Sequence, residues 1–194
     1  VMNVDRVEAS VLIGNADGTT ISANKSTVSS NGITIGGEIT KAGDESVHIG
    51  DYSGSMGSRN VVIGTYASAG YDDKNSAGNP PKDGAFNQSV AIGAGRKAGE
   101  GARAYGDQSI AIGSNTIARG NSSIAIGNDD VDKTDEIETT YTDLEGNTKT
   151  ESIGKAYKAL TGQSLGPKVY QDTTSKEAAV AIGVKAVAGD ISLA

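Results

Sequence analysis

"QSIAIGSNTIARGNSSIAIGNDD", Gln108 to Asp130, states Ser-Ile-Ala-Ile-Gly twice, 14 residues apart. The same ending occurs at Ile13-Gly14, Ile35-Gly36, Ile49-Gly50, Ile63-Gly64, Ile92-Gly93 and Ile182-Gly183. Gly36 to Gly50, Gly50 to Gly64 and Gly113 to Gly127 are each steps of 14, and steps of 22, 20 and 29 mark places where extra residues enter. A fixed period is the signature of a repeat architecture. Within each unit, as in Ser89-Val90-Ala91-Ile92-Gly93, large and small apolar residues alternate with the period of a strand whose two faces meet different surroundings. The Gly that follows suits a tight turn at positive φ. Two short strands and two turns make one coil, and coils that cannot bury their apolar residues alone stack into continuous parallel sheets about 4.8 Å apart.

Composition agrees with a narrow solenoid. Aromatic residues are 4% of the chain, Trp is absent and Gly is 27 of 194 residues, without the period of collagen. The formal charge of −7 argues against a nucleic-acid backbone as partner. With no Cys there is neither a disulfide nor a thiolate metal site. No apolar run reaches the length of a membrane span, so direct membrane insertion by this chain is not expected, and any anchor or export signal lies outside it.

The expected roll core is Val47 and Ile49, Val61 and Ile63, Val90 and Ile92, Ile110 and Ile112, Ile124 and Ile126, Val180 and Ile182, followed by turn glycines Gly50, Gly64, Gly93, Gly113, Gly127 and Gly183. Between the large residues stand His48, Val62, Ala91, Ala111, Ala125 and Ala181. Small apolar residues at matched height predict close approach to another backbone, and a threefold arrangement of identical rods closes such a contact, making this column the candidate trimer interface. The alternative is a monomeric solenoid with an undemanding outer face.

"SVAIGAGRKAGEGARAYGDQSIAIGSNTIARGNSSIAIG" resembles the YadA-like head repeats of the trimeric autotransporter adhesins. The resemblance implies an all-β homotrimer of left-handed parallel β-rolls with Val and Ile inside each roll. It spans residues 44–128 and resumes at 179–194. Residues 1–43 are read as a small β unit or degenerate repeats. Tyr71 to Asn87, with Pro80-Pro81 and Asp83-Gly84, reads as a surface loop. Residues 129–178 look like a head insert of the family: a hairpin around Glu145-Gly146-Asn147, then a helix capped by Ser152, with Ile153, Ala156, Tyr157 and Leu160 on one face and Gly162 at its end. The insert is expected to fold back onto the rod.

Chemical motifs are weak. "GAGRKA", Gly93 to Ala98, satisfies a dinucleotide fingerprint only if a helix follows, and Gly99-Glu100-Gly101 opposes one. "NDDVDKTDE" offers Asp129, Asp130, Asp132 and Asp135, but an EF-hand frame counted from Asp130 has Asp135 at the position that needs Gly and Tyr141 at the position that needs a bidentate carboxylate. His48 is the only histidine; on a trimer axis three copies would converge and resist joint protonation, whereas the plainer reading is a hydrogen-bonded strand residue. Left-handed β-helix acyltransferases have a period of six, which this chain lacks. Neither catalysis nor a cofactor is expected.

The functional expectation, implied by the resemblance, is a Gram-negative surface adhesin head that attaches multivalently to host matrix proteins such as collagen, fibronectin or laminin, or to host cell receptors. Candidate contacts are the large side chains of the two excursions, Tyr71, Phe86, Tyr141 and Tyr170. The alternative is a structural spacer or fibre segment without its own ligand.

Overall fold

In the computed structural model, which describes residues 32–39, 42–70, 87–130, 134–165 and 170–194, the repeat endings from Ile35-Gly36 to Ile182-Gly183 each close a three-residue strand, and Ile13-Gly14 lies outside the described residues. In chain order the strands are β1 (Ile33–Ile35), β2 (Val47–Ile49), β3 (Gly54–Ser55), β4 (Val61–Ile63), β5 (Ser68–Ala69), β6 (Val90–Ile92), β7 (Arg103–Ala104), β8 (Ile110–Ile112), β9 (Thr116–Ala118) and β10 (Ile124–Ile126). There follow β11 (Glu138–Thr142), β12 (Thr148–Ser152), helix α1 (Ile153–Thr161), β13 (Thr173–Ser175), β14 (Val180–Ile182) and β15 (Val187–Ala188). One seven-stranded sheet has the order β1-β2-β4-β6-β8-β10-β14 and a six-stranded sheet the order β15-β13-β9-β7-β5-β3. All pairings in both are parallel, as stacked coils require. β10 pairs directly with β14, so the 56-residue step from Gly127 to Gly183 is a single coil carrying an insert and its match to four periods is accidental.

The two faces of the repeated strand are the reverse of the expectation. Ala91, Ala111, Ala125, Ala181, Val62 and His48 are each fully buried within their own roll and cannot form a contact between protomers. Val47, Val61, Ile63, Val90, Ile92, Ile110, Ile124, Ile126 and Val180 are only half-buried, and Ile49, Ile112 and Ile182 are exposed, all on the outer face. The reason is the width of the coil. Facing strands of two or three residues joined by tight corners stand close together and favour small side chains, so the core cluster is mostly alanine, Val62 with Ala67, Ala69, Ala91, Ala102, Ala104, Ala111, Ala118 and Ala125. Buried serines complete the interior: Ser109 and Ser123 donate to the carbonyls of Gly106 and Gly120, each at 2.7 Å.

Close stacking also explains the turn glycines. Gly64 has φ of +126°, and a Cβ there would lie 2.7 Å from the carbonyl carbon of Gly93 on the next coil. Two residues beyond the glycine, Tyr52, Tyr66, Asn115 and Lys185 adopt positive φ although none is Gly. On adjacent coils the rings of Tyr52 and Tyr66 stack, 4.8 Å apart and nearly parallel.

In the insert, β11 and β12 form an antiparallel hairpin with Tyr141 opposite Lys149. The helix ends at Gly162, which is left-handed and donates its N–H to the Lys158 carbonyl at 2.9 Å. Ser152 occupies the N-cap position without a side-chain capping bond, a departure from expectation, and Leu160 is exposed. The insert touches the last coil through the Tyr157 hydroxyl, 3.1 Å from the Val184 carbonyl, and through the buried Lys185 ammonium, 2.5 Å from the Ser164 carbonyl.

Candidate interaction surfaces

Register turns the outward residues into two apolar columns. Ile35, Ile49, Ile63, Ile92, Ile112, Ile126 and Ile182 form one; Ile33, Val47, Val61, Val90, Ile110, Ile124 and Val180 form the other. Seven strands at the parallel-sheet spacing make this face about 29 Å long. A contiguous apolar surface of that size marks an association face.

A second surface is built where the chain leaves one sheet for the other. The step from Gly93 to Gly113 is 20 rather than 14, and the extra residues form a bulge at 94–101; the insert leaves the same corner two coils later, after Asn128. The intervening coil is regular and contributes Ser114 and Asn115. Between bulge and insert lies an open cavity of about 320 Å³ lined by Ala94, Gly95, Arg96, Glu100, Ser114, Asn115, Asp129, Asp130 and Tyr170. It continues into one of about 440 Å³ that adds Lys97, Gln171 and Asp172. No helix follows Gly95, so the dinucleotide fingerprint lacks its structural context.

Electrostatics within this corner are largely self-contained. Glu100 accepts from Arg96 Nε at 3.2 Å and Nη2 at 3.3 Å and lies 3.7 Å from Lys97 Nζ. The Arg96 hydrogen bond holds the Glu100 carboxyl below its usual range. Arg103, almost wholly covered, places Nη2 3.1 Å from Asp172 Oδ1. Ser114 donates to the Ala94 carbonyl at 2.6 Å and ties the bulge to the floor.

Of the four aromatic contact candidates, Tyr170 is 64% exposed on the groove wall. Tyr141 is half-buried on the hairpin and donates to Glu151 at 2.7 Å, which pushes its phenol up. Tyr71 and Phe86 lie outside the described residues, as does Asp132. Among the described residues no three His, Asp or Glu are grouped to hold a metal ion. His48 does not face a threefold axis: its Nε2 is 3.0 Å from the Ser55 hydroxyl inside the roll, and burial pushes it down to about 4. No described helix is long and apolar enough to cross a membrane.

Sequence reading missed two features. One is the groove, because "GAGRKA" carries no groove signal as a fingerprint; the uneven 20-residue step is its signal. The other is a polar spine, in which Asn87, Asp107 and Asn121 side chains accept the backbone N–H of Ser58, Asn87 and Asp107 at 2.7, 2.7 and 2.8 Å. The recurring Asn or Asp two residues before each strand's Ser is visible in the sequence.

Residues 99–129, which contain β7 to β10, match the YadA head domain repeat in two copies. No curated protein and no solved structure matches the chain. The matched family consists of adhesins and not of enzymes. Residues 99–129 are thus similar to the YadA head repeats of the trimeric autotransporter adhesins, and they lie within a longer run of in-register parallel coils.

Proposed function

We propose that this chain acts as a homotrimeric adhesin head on a Gram-negative cell surface, attaching multivalently to host matrix proteins such as collagen, fibronectin or laminin, or to host cell receptors. The observation that supports this most is the pair of outward Ile and Val columns, which three rolls packed about a common axis would cover. The axis therefore runs along Ile49, Ile112 and Ile182, not along the alanine column. The repeats within residues 44–128 and 179–194 form the left-handed rod, and the hairpin and helix of the insert are the surface it displays. Attachment works by avidity: three weak contacts held on one stiff body engage together. The charge of −7 on each protomer opposes nonspecific adsorption to anionic membranes.

Light scattering across a concentration series tests the assembly, with a stable mass of three times 19.6 kDa expected. A persistent monomer counts against the trimeric head. Attachment of beads coated with the head to immobilised matrix proteins tests the binding. Loss of attachment after both excursions are trimmed to the 14-residue period is expected; unchanged attachment would identify a spacer.

A further inference from the structure

We propose that the groove between the 94–101 bulge and the insert binds a neutral oligosaccharide, an assignment that rests on the adhesin reading and gives its ligand a chemical class. The groove is built, not incidental. Its two walls leave the same corner of the roll on coils separated by one regular coil, so parallel-sheet spacing places them roughly 10 Å apart. That gap accepts one sugar ring with contact on both sides. Ser114 fixes one wall to the floor, and the Arg103–Asp172 ion pair fixes the other to the roll.

The lining selects the ligand. Tyr170 offers a ring that is 64% exposed, and such a face stacks against the C–H side of a pyranose. Around it, Asp129 accepts hydrogen bonds, Arg96 donates them, and the Asn115 amide does both, the mixture that sugar hydroxyls require. Arg96, Lys97 and Arg103 stand against Glu100, Asp129, Asp130 and Asp172, three positive charges against four negative, so no surplus of positive charge remains to draw a sulfated or sialylated chain. Apart from Ala94 the lining has no aliphatic side chain to hold the anchors of a peptide. Three grooves on a trimer would raise a weak sugar contact by avidity.

The test is a titration of the ¹⁵N-labelled chain, in its solution assembly, with lactose, cellobiose, mannobiose and N,N′-diacetylchitobiose in turn, followed by NMR. At least one sugar is expected to shift the amides of Gly95, Glu100, Asn115 and Asp129. Tyr170→Ala should weaken that binding about tenfold, while Tyr170→Phe should keep it, since stacking needs the ring and not the hydroxyl. Because Tyr170 is exposed, both variants should retain the amide spectrum of the roll. The inference is overturned if none of the four sugars shifts these amides, if the shifts survive Tyr170→Ala, or if only a heparin fragment or a peptide produces them. A trimer that still attaches to matrix while ignoring all four sugars sinks this inference alone. A monomer that binds sugar sinks the trimeric reading and leaves the groove standing.

Discussion

Ala111 and Ile112 are joined by one peptide bond and lie on opposite faces of β8: Ala111 is wholly buried inside the roll, whereas Ile112 keeps 36% of its surface exposed outside it. The larger residue is the one left uncovered, against the usual ordering of burial by apolar size. In a free-standing roll that arrangement wastes the transfer energy of every branched side chain in the two columns. In an assembly it is consistent, because the interior sets coil thickness with alanine and serine while the exterior supplies the adhesive area.

Substitutions at these neighbours should therefore separate folding from association. Ile112→Asp leaves the roll folded by circular dichroism but lowers the mass seen by light scattering toward 19.6 kDa. Ala111→Leu instead overpacks the interior and costs about 3 kcal/mol or more of stability, read as a fall in the urea midpoint. If Ala111 were at the interface between protomers, the two outcomes would be exchanged.

The contrast also shows what the sequence could and could not yield. The Ile-Gly endings place every strand of the seven-stranded sheet, because period two and glycine corners are local properties of the chain. Direction of facing is not local. Alternation says that Val90 and Ile92 differ from Ala91, but which of them is inside depends on the gap between sheets, a distance set by the corners of the coil. For the same reason His48, placed on an axis by analogy with its alanine neighbours, is inside the roll with them. The groove was hidden for a different reason. Its walls are about 30 to 75 residues apart in the chain, and only the register of β6, β8 and β10 brings Arg96 to Asp129 and Tyr170.

Gly64 and Gly146 provide a test of coil stacking. Both have positive φ, +126° and +88°, yet a Cβ at Gly146 meets nothing within 4 Å while one at Gly64 runs into the backbone of Gly93. Gly146→Ala should cost only the backbone strain, about 1–2 kcal/mol, and that locally in the hairpin turn. Gly64→Ala adds a collision between two backbones that are already hydrogen-bonded, Gly93 N–H to Ile63 carbonyl at 2.9 Å, and should cost at least twice as much. Urea midpoints of the two variants decide it, and equal losses would mean that stacking adds nothing beyond φ.

Asp172 closes the insert by facing Arg103, whose side chain is 13% exposed. Removing the carboxylate leaves a covered guanidinium without its counter-charge, so Asp172→Ala should destabilise by about 1–2 kcal/mol, less than a fully buried pair because Asp172 remains one-third exposed. Arg103→Met removes the charge that needs compensation and should be milder. Adding Asp172→Ala to Arg103→Met should then cost almost nothing, a coupling that a double-mutant cycle in urea measures directly.

His48 makes the roll sensitive to acid. Burial lowers its pKa from 6.5 to about 4, and only Nε2 has a partner, the Ser55 hydroxyl at 3.0 Å; Nδ1 has none. Between these values the unfolded chain binds a proton that the folded chain refuses. The stability this residue contributes is thus complete above pH about 6.5 and declines as pH falls to about 4, below which it changes no further. The full effect is on the order of 3 kcal/mol per protomer. Val62 occupies the same height on the next coil, so His48→Val fits the site without a titrating group. Stability measured by urea unfolding at pH 7 and pH 4.5 should fall less in His48→Val than in the parent. Carboxylates such as Glu100, held below their usual range, lose stability over an overlapping acid window, but equally in both proteins, and cancel in the difference. Identical pH slopes would show that the imidazole is hydrated in the native roll.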